Sequence, residues 1–430
     1  MSTSTVDAAT NGGRSPRRAV VAACIGNAAE WYDFAVYGAF ATVTGFVFFP
    51  VTNVATALSA AFAVYGTALI VRPLGALVFG RLGDTRGRRR VLVTVILLMT
   101  IATAGIGFLP GYAVIGLVSP ILLVLLRATQ GLAAGGELGA AAVFILENAA
   151  RARRGQAGAW QTATMALGIA AGMALAGSLS LLFNERGGWS GWWRIAFVLA
   201  LPLGLVGLHL RRRVAETQQF VHLQTTSTLQ HRPAQELWTR HKRAVARGFC
   251  LVAAGSLAFN VFFIFLPNNL IARHGADLSE ALLATAGSLL VTALAAVTLG
   301  RVSDRLGRRP VALASCVPLA LLAVPAAVVG SRGSMAGLVL AQVVIGITVA
   351  GVLSVAMLGE AFPAPVRSTG VALTAGLATA FVGGTGPLIS QLIVTRTAIE
   401  AAPGGYLAVV AALAVVALWG WPETAFQDLG

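Results

Sequence analysis

Apolar segments of bilayer-crossing length follow one another through almost all of this 430-residue chain, parted by short connections. A transmembrane helix needs about 20 predominantly apolar residues. Twelve such spans are expected, near 19–48, 54–80, 91–110, 115–148, 157–183, 191–210, 244–270, 280–302, 311–330, 335–362, 367–395 and 404–421. Charged residues make up only 11% of the chain, against about a quarter in a soluble domain. The fold class that follows is all-α and polytopic, with every backbone polar group in the hydrocarbon satisfied inside a helix.

The net charge of +15 raises the question of nucleic acid, and the placement of the charges answers against it. Arg14, Arg17 and Arg18 precede the first span, and Arg81, Arg86, Arg88, Arg89 and Arg90 follow the second. Arg151, Arg153 and Arg154 follow the fourth, and Arg211, Arg212 and Arg213 follow the sixth. Intervening connections hold at most one basic residue, such as Arg186, Arg273, Arg332 or Arg396. Arginine clustered in alternate loops marks cytoplasmic faces. The expectation is a multi-pass protein of the cell (inner) membrane, with both termini and the central loop in the cytoplasm. Cys24, Cys250 and Cys316 sit inside apolar spans without CxxC spacing, so they suggest small buried hydrophobes and no disulfide framework or metal site.

The chain repeats itself. Gly80–Arg90 reads GRLGDTRGRRR and Gly300–Pro310 reads GRVSDRLGRRP, matching at an offset of 220. Glu147 and Arg154 of ENAARARR match Glu360 and Arg367 of EAFPAPVR, and AETQQF at 215–220 answers PETAFQ at 422–427. Three matches in corresponding places imply a duplicated six-helix unit. The expected organisation is a disordered segment 1–18, a bundle 19–210, a cytoplasmic central loop 211–243, a bundle 244–421 and a cytoplasmic tail 422–430.

GRLGDTRGRRR resembles the signature loop of the major facilitator superfamily. GNAAEWYDFAVYGAF from Gly26, RPLG from Arg72, RATQGLAAGGE from Arg127 and WWRIAF from Trp192 resemble its metabolite:proton symporters, whose members carry proline/betaine, α-ketoglutarate, citrate or shikimate. The resemblance spans nearly the whole chain. It implies twelve transmembrane helices in two pseudo-symmetric six-helix bundles, working by alternating access as a proton-coupled carrier. Its partners are then a small-molecule substrate, protons and the lipid bilayer, with no nucleic acid, no cofactor and a monomeric state. It also implies that Asp84 with Arg88, Glu147 and Arg154, and Asp304 with Arg308, Glu360 and Arg367, latch the halves together on the cytoplasmic side. Asp84 would act through Arg154 and Glu147, and Asp304 through Arg367 and Glu360.

The residues that do not belong in hydrocarbon point the same way. Asn27, Glu30, Asp33, Phe34 and Tyr37 form one stripe of the first helix at 100° per residue. Asp33 lies about 20 Å along a helix starting near Ala19, close to the midplane. A charge there costs at least ~2.5 kcal/mol. Either the acids clamp helices in fixed ion pairs, or Asp33 loads and releases a proton with Glu30 relaying or pairing. Arg127 lies near the midplane of the fourth span, with Gln130, Ala134 and Glu137 roughly along its face. It stays charged when buried, so it needs a carboxylate opposite: a permanent one from Asp33, or that of a substrate. Glu137 joins the proton path or pairs with Arg72, and Gly135 and Gly136 suit packing. Asn260 and Phe263 of the seventh span are candidate pocket residues from the other half, with Gln342 and Thr348 behind them. GGTGP at 383–387 marks a break in the eleventh span.

Two competing readings remain. Drug/proton antiport usually brings a GPxxGG element in the fifth span, which here reads AWQTATMALGIAAG. An enzyme would need an HExxH, a GxSxG with a triad or a GxxxxGK[ST] loop, none of which the sequence contains. The substrate expected for a symporter is a small carboxylate-bearing metabolite, an organic acid or a zwitterionic osmolyte such as proline or betaine.

Overall fold

A computed structural model describes residues 16–86, 88–135, 142, 145–146, 149–183, 191–202, 204–205, 208 and 233–427. Every regular element among them is a helix. The first half contributes α1 (Pro16–Ala39), α2 (Ala41–Phe48), α3 (Val54–Arg86), α4 (Arg88–Phe108), α5 (Val118–Gly135), α6 (Arg154–Phe183) and the short α7 (Arg194–Val198). The second contributes α8 (Pro233–Arg240), α9 (Lys242–Phe259), α10 (Leu266–His274), α11 (Leu278–Leu306), α12 (Arg308–Gly330), α13 (Met335–Val352), α14 (Val355–Glu360), α15 (Arg367–Ala378), α16 (Gly386–Thr397) and α17 (Ala402–Trp419). Among the described residues nine helical stretches are long and apolar enough to cross a membrane. The expected first, third and sixth spans are represented by α1 with α2, by α4 and by the pieces around α7.

Four expected spans are interrupted. The first breaks at Phe40 between α1 and α2. The seventh passes through a π-helical segment, Asn260–Phe265, joining α9 to α10. The tenth breaks after α13, where the Ser354 hydroxyl accepts the Met357 amide and starts α14. The eleventh has a second π-helical segment, Thr379–Gly383, and then a turn into α16, which confirms the break at 383–387. Part of the expected central loop is the helix α8, and its Leu237 is fully buried.

Turn chemistry fixes the ends. Gly275 closes α10 in the left-handed conformation at φ 64°, where a side chain would be strained. Asp277 then caps α11, accepting from the Ser279 and Glu280 amides at 2.8 and 3.1 Å.

Within the first half, α3 packs along α5 and α1 packs along α6. The close approach depends on residues without a Cβ. A Cβ on Gly131 would strike the Ala68 carbonyl, and one on Gly135 the Arg72 carbonyl. Gly135 therefore serves packing, as expected. The two halves meet chiefly where α6 runs against α11, and again where α3 meets α15, the second π segment and α16. The polar cluster described next lies in the first half, beside the first π segment.

Candidate functional site

Four charged side chains are buried together among the spans of the first half: Glu30 and Asp33 on α1, Arg72 on α3 and Arg127 on α5. Arg72 donates to Glu30 at 2.6 Å. Glu30 is thus the partner of Arg72. Glu137, the partner that the sequence suggested for Arg72, lies outside the described residues.

Aromatic rings complete the surroundings. The Arg72 guanidinium stands 5.1 Å from the Trp31 ring centre and 4.6 Å from that of Phe34. The Arg127 guanidinium stands 4.9 Å from Phe34, 4.3 Å from Tyr37 and 5.6 Å from Tyr65. Phe34 therefore offers its ring to both cations, a favourable arrangement where water is excluded.

Asp33 and Arg127 do not form the permanent salt bridge that was one expectation. The Thr103 hydroxyl of α4 donates to Asp33 Oδ2 at 2.9 Å, while Arg127 Nη1 donates to Gln130 Oε1 at 2.6 Å. Gln130 Nε2 in turn donates to Thr103 Oγ1 at 2.6 Å. The acid and the base are therefore joined through Thr103 and Gln130. Arg127 is fully buried, yet among the described residues its Nε and Nη2 have no hydrogen-bond partner. Unpaired buried N–H groups on a cation are costly, and their arrangement suits a carboxylate.

The remaining candidates fall around this core. Tyr37 stacks on Tyr65 at 6.4 Å, and its hydroxyl donates to the Ala61 carbonyl. The Tyr65 hydroxyl donates to Asn260 Oδ1 at 2.9 Å, so Asn260 of the second half does meet the cluster. Phe263 stacks against Phe259 at 4.9 Å, and Phe259 lies 6.5 Å from Trp31. Asn27 is placed elsewhere: its amide donates to the Gln161 carbonyl and the Thr164 hydroxyl of α6. It lies a turn before Glu30, and α6 satisfies it before it reaches the arginine. Gln342 donates to the Phe262 carbonyl and to Thr285, bracing the π segment. Thr348 donates to its own helix at Ile345.

At the end rich in basic residues a second charged network bridges the halves. Asp304 accepts from the Gly155 and Gln156 amides at 2.7 and 2.9 Å, capping the first turn of α6. Arg308 bonds Asp304 at 2.8 Å and Glu360 at 3.2 Å. The Thr424 hydroxyl also donates to Glu360, at 2.7 Å. Arg308 thus links Asp304 to Glu360, whereas the bonds described for Arg367 go to backbone carbonyls and not to Asp304. Asp304 is instead taken up by Arg308 and by a helix N-terminus, which favours an anion. Arg367 Nε donates to the Gly359 and Phe362 carbonyls, left open where α14 ends. Arg154 and Arg151 donate to the carbonyls of Gln427 and Phe426 respectively. Glu147 lies outside the described residues, as do the side chains of Asp84 and Arg88.

The opposite end is also closed. Asn268 donates to the Gly38 carbonyl at 2.9 Å, and the Phe62 and Phe265 rings meet at 6.2 Å. The polar cluster is thereby enclosed between two contacts of the halves.

Comparison with known proteins adds to this geometry. Residues 19–232 match the family model described as Sugar (and other) transporter, and residues 248–428 match that of the Major Facilitator Superfamily. A proline/betaine transporter of Escherichia coli strain K12 is 33% identical, with 96% of this chain and 85% of the relative covered. An α-ketoglutarate permease of the same strain is 32% identical over 90% of each chain. A citrate-proton symporter of Klebsiella pneumoniae is 31% identical, with 93% of this chain and 90% of the relative covered. The solved structure of the proton:xylose symporter XylE with bound 6-bromo-6-deoxy-D-glucose superposes with a TM-score of 0.76 at 19% identity, covering 96% of this chain and 97% of that one. The chain belongs to the major facilitator superfamily, and within it to the metabolite:proton symporter family.

Proposed function

We propose that the chain is a proton-coupled symporter, and no enzyme, for a small solute bearing a single carboxylate, with a zwitterion of the proline or betaine kind as the best fit. The observation behind this reading is Arg127: fully buried, ringed by aromatic faces, with two nitrogens unpartnered among the described residues. A carboxylate entering there would take both nitrogens in a bidentate pair. Asp33 is the proton carrier and Glu30, held by Arg72, is its electrostatic neighbour. Glu137 is a further candidate on that path. Tyr37, Gln130, Asn260 and Phe263 line or order the site, while Asn27 supports the α1–α6 contact.

Charge balance favours one carboxylate. Glu30 and Arg72 neutralise each other, leaving Asp33 and Arg127. With Asp33 protonated, one positive charge remains. The interiors of the six spans in the second half carry no Lys or Arg, so a second or third carboxylate would find no cation there. The ammonium end of a zwitterion finds ring faces at Phe34, Tyr65 and Phe259. The protein works as a monomer in the inner membrane, with its basic end and both termini in the cytoplasm. Asp304, Arg308, Glu360, Arg154 and Arg367 hold that end closed, and Asp84, Arg88 and Glu147 are their counterparts in the first half.

The test is reconstitution into vesicles with proline, glycine betaine, α-ketoglutarate, citrate and shikimate supplied in turn, recording substrate-induced proton movement. Proton uptake with proline or betaine and none with citrate is the expected result. Flux of every solute indifferent to a pH gradient would end the proposal.

A further inference from the structure

Thr103 has more hydrogen-bond partners than one hydroxyl proton can serve. Its Oγ1 lies 2.9 Å from Asp33 Oδ2 and 2.9 Å from the Met99 carbonyl, both acceptors when Asp33 is ionised. The same oxygen accepts from Gln130 Nε2 at 2.6 Å. A hydroxyl offers one proton and two lone pairs, so its proton points either at Asp33 or at Met99. Which one depends on whether Asp33 holds a proton. We infer that Thr103 and Gln130 are positioning residues that report the protonation of Asp33 to Arg127; this rests on the symport reading above.

With Asp33 ionised, Thr103 donates to the carboxylate. Donation to an anion polarises the hydroxyl oxygen and strengthens the bond it accepts from Gln130. Gln130 is then fixed with its Oε1 toward Arg127, and Arg127 is held among the rings. With Asp33 protonated, its own O–H donates to Thr103 Oγ1, and the Thr103 proton rotates to the Met99 carbonyl. No covalent bond of Thr103 breaks; the proton gained by Asp33 is the only one added. The Thr103 oxygen now serves two donors and gives to a neutral acceptor, so its hold on Gln130 weakens. Arg127 is freed to take a carboxylate. Proton binding thus precedes substrate binding without any contact between Asp33 and Arg127.

The charged and titratable groups about Asp33 are few. On its own helix they are Glu30, Tyr32 and Tyr37; on α3, Arg72 and Tyr65; on α5, Arg127. The described membrane-embedded parts of α4, α6 and α9 that pack around the site contribute no Asp, Glu, Lys, Arg or His. Thr103, a residue without charge, is hydrogen-bonded both to Asp33 and to Gln130, which in turn accepts from Arg127.

The experiment measures KM and maximal rate of uptake across pH 5.5–7.5 in vesicles, with proline and glycine betaine as probes, for wild type, Thr103→Val and Thr103→Ser. For full linkage to one proton, KM changes by up to about tenfold per pH unit, falling as pH falls. Thr103→Val is expected to flatten that slope to less than about twofold over the range, and Thr103→Ser to restore it. A purely structural role would lower the rate at every pH and leave the slope intact, and a wild-type slope in Thr103→Val overturns the inference. Should Thr103→Val not reach the membrane, Gln130→Leu bears the same expectation: a flat slope supports the relay and a full slope refutes it. Wild-type uptake without any pH dependence would overturn the symport reading itself, and this inference with it.

Discussion

Asp304 is one of the side chains through which the second half grips the first, and replacing it by asparagine has a calculable effect. The carboxylate accepts two amide hydrogen bonds from the first turn of α6 and one from Arg308. Bonds to an ionised acceptor contribute about 1.5–3 kcal/mol each, against roughly 1 kcal/mol for neutral ones. Asparagine keeps one oxygen for the Gly155 amide at neutral strength, and turns its own N–H groups toward the Gln156 amide. Of the two bonds that cross between the halves one is weakened and one lost, while the Arg308 bond lies within the second half and Arg308 keeps Glu360. The closed arrangement of the basic end should lose about 2–3 kcal/mol, or roughly 30- to 150-fold in population.

Ala356 reports on this directly, because it is 1% exposed and packs against Gly158 across the interface. In a background with Cys24, Cys250 and Cys316 replaced, the Ala356→Cys thiol should react with N-ethylmaleimide in inside-out vesicles at a rate set by the open population. Asp304→Asn should accelerate labelling at least about tenfold, allowing for partial compensation by Arg308. Labelling unchanged within about twofold would show that the cap on α6 does not hold the halves together.

Three further outcomes are expected. Asp33→Asn should abolish uphill uptake while leaving membrane insertion intact, measured by accumulation under an imposed pH gradient; undiminished accumulation removes Asp33 from the coupling role. Arg127→Lys should raise KM at least about tenfold, since an ammonium cannot pair bidentately with a carboxylate or stack as a plane on Tyr37; a wild-type KM counts against carboxylate recognition there. At the other end, the Ser279 hydroxyl and the Ser279 and Glu280 amides hold the Asp277 carboxyl below the usual carboxylate range. Its capping contribution is therefore present at pH 7 and lost as pH falls through that lowered value. Asp277→Ala should cost about 0.5–1 kcal/mol at neutral pH by thermal unfolding in detergent, with the difference vanishing in acid.

The spans and the duplication were legible because hydrocarbon leaves little choice: segments without charges, parted by arginines, can only be helices. Asp33, Glu30, Arg72 and Arg127 stood out for the converse reason, as charges where charges are costly. Their partners were not legible. The sequence suggested Glu137 for Arg72 and named no partner for Glu30, because spacing along separate helices does not say which acid faces which base. The duplication identified Asp304, Glu360 and Arg367 as a set, but which acid meets which base depends on where α14 ends and α6 begins. Thr103 left no trace, since a threonine in a membrane helix usually bonds its own preceding turn, as this one also does. Tyr65 looked like any aromatic in an apolar span until its hydroxyl met Asn260.

The π segment at Asn260–Phe265 settles how the seventh span addresses its neighbours. Asn260 reaches Tyr65 of α3 and Asn268 reaches Gly38 of α1, both across the seam between the halves. Positions eight apart on a regular helix diverge by about 80°, whereas seven apart nearly coincide. One surplus residue in the wide turn makes a spacing of eight behave as seven, so both amides aim at the same wall. Were the wide turn to close into a regular helix with every residue kept, Asn268 would swing away by about 100° and unfasten the outer rim while leaving Asn260 in place.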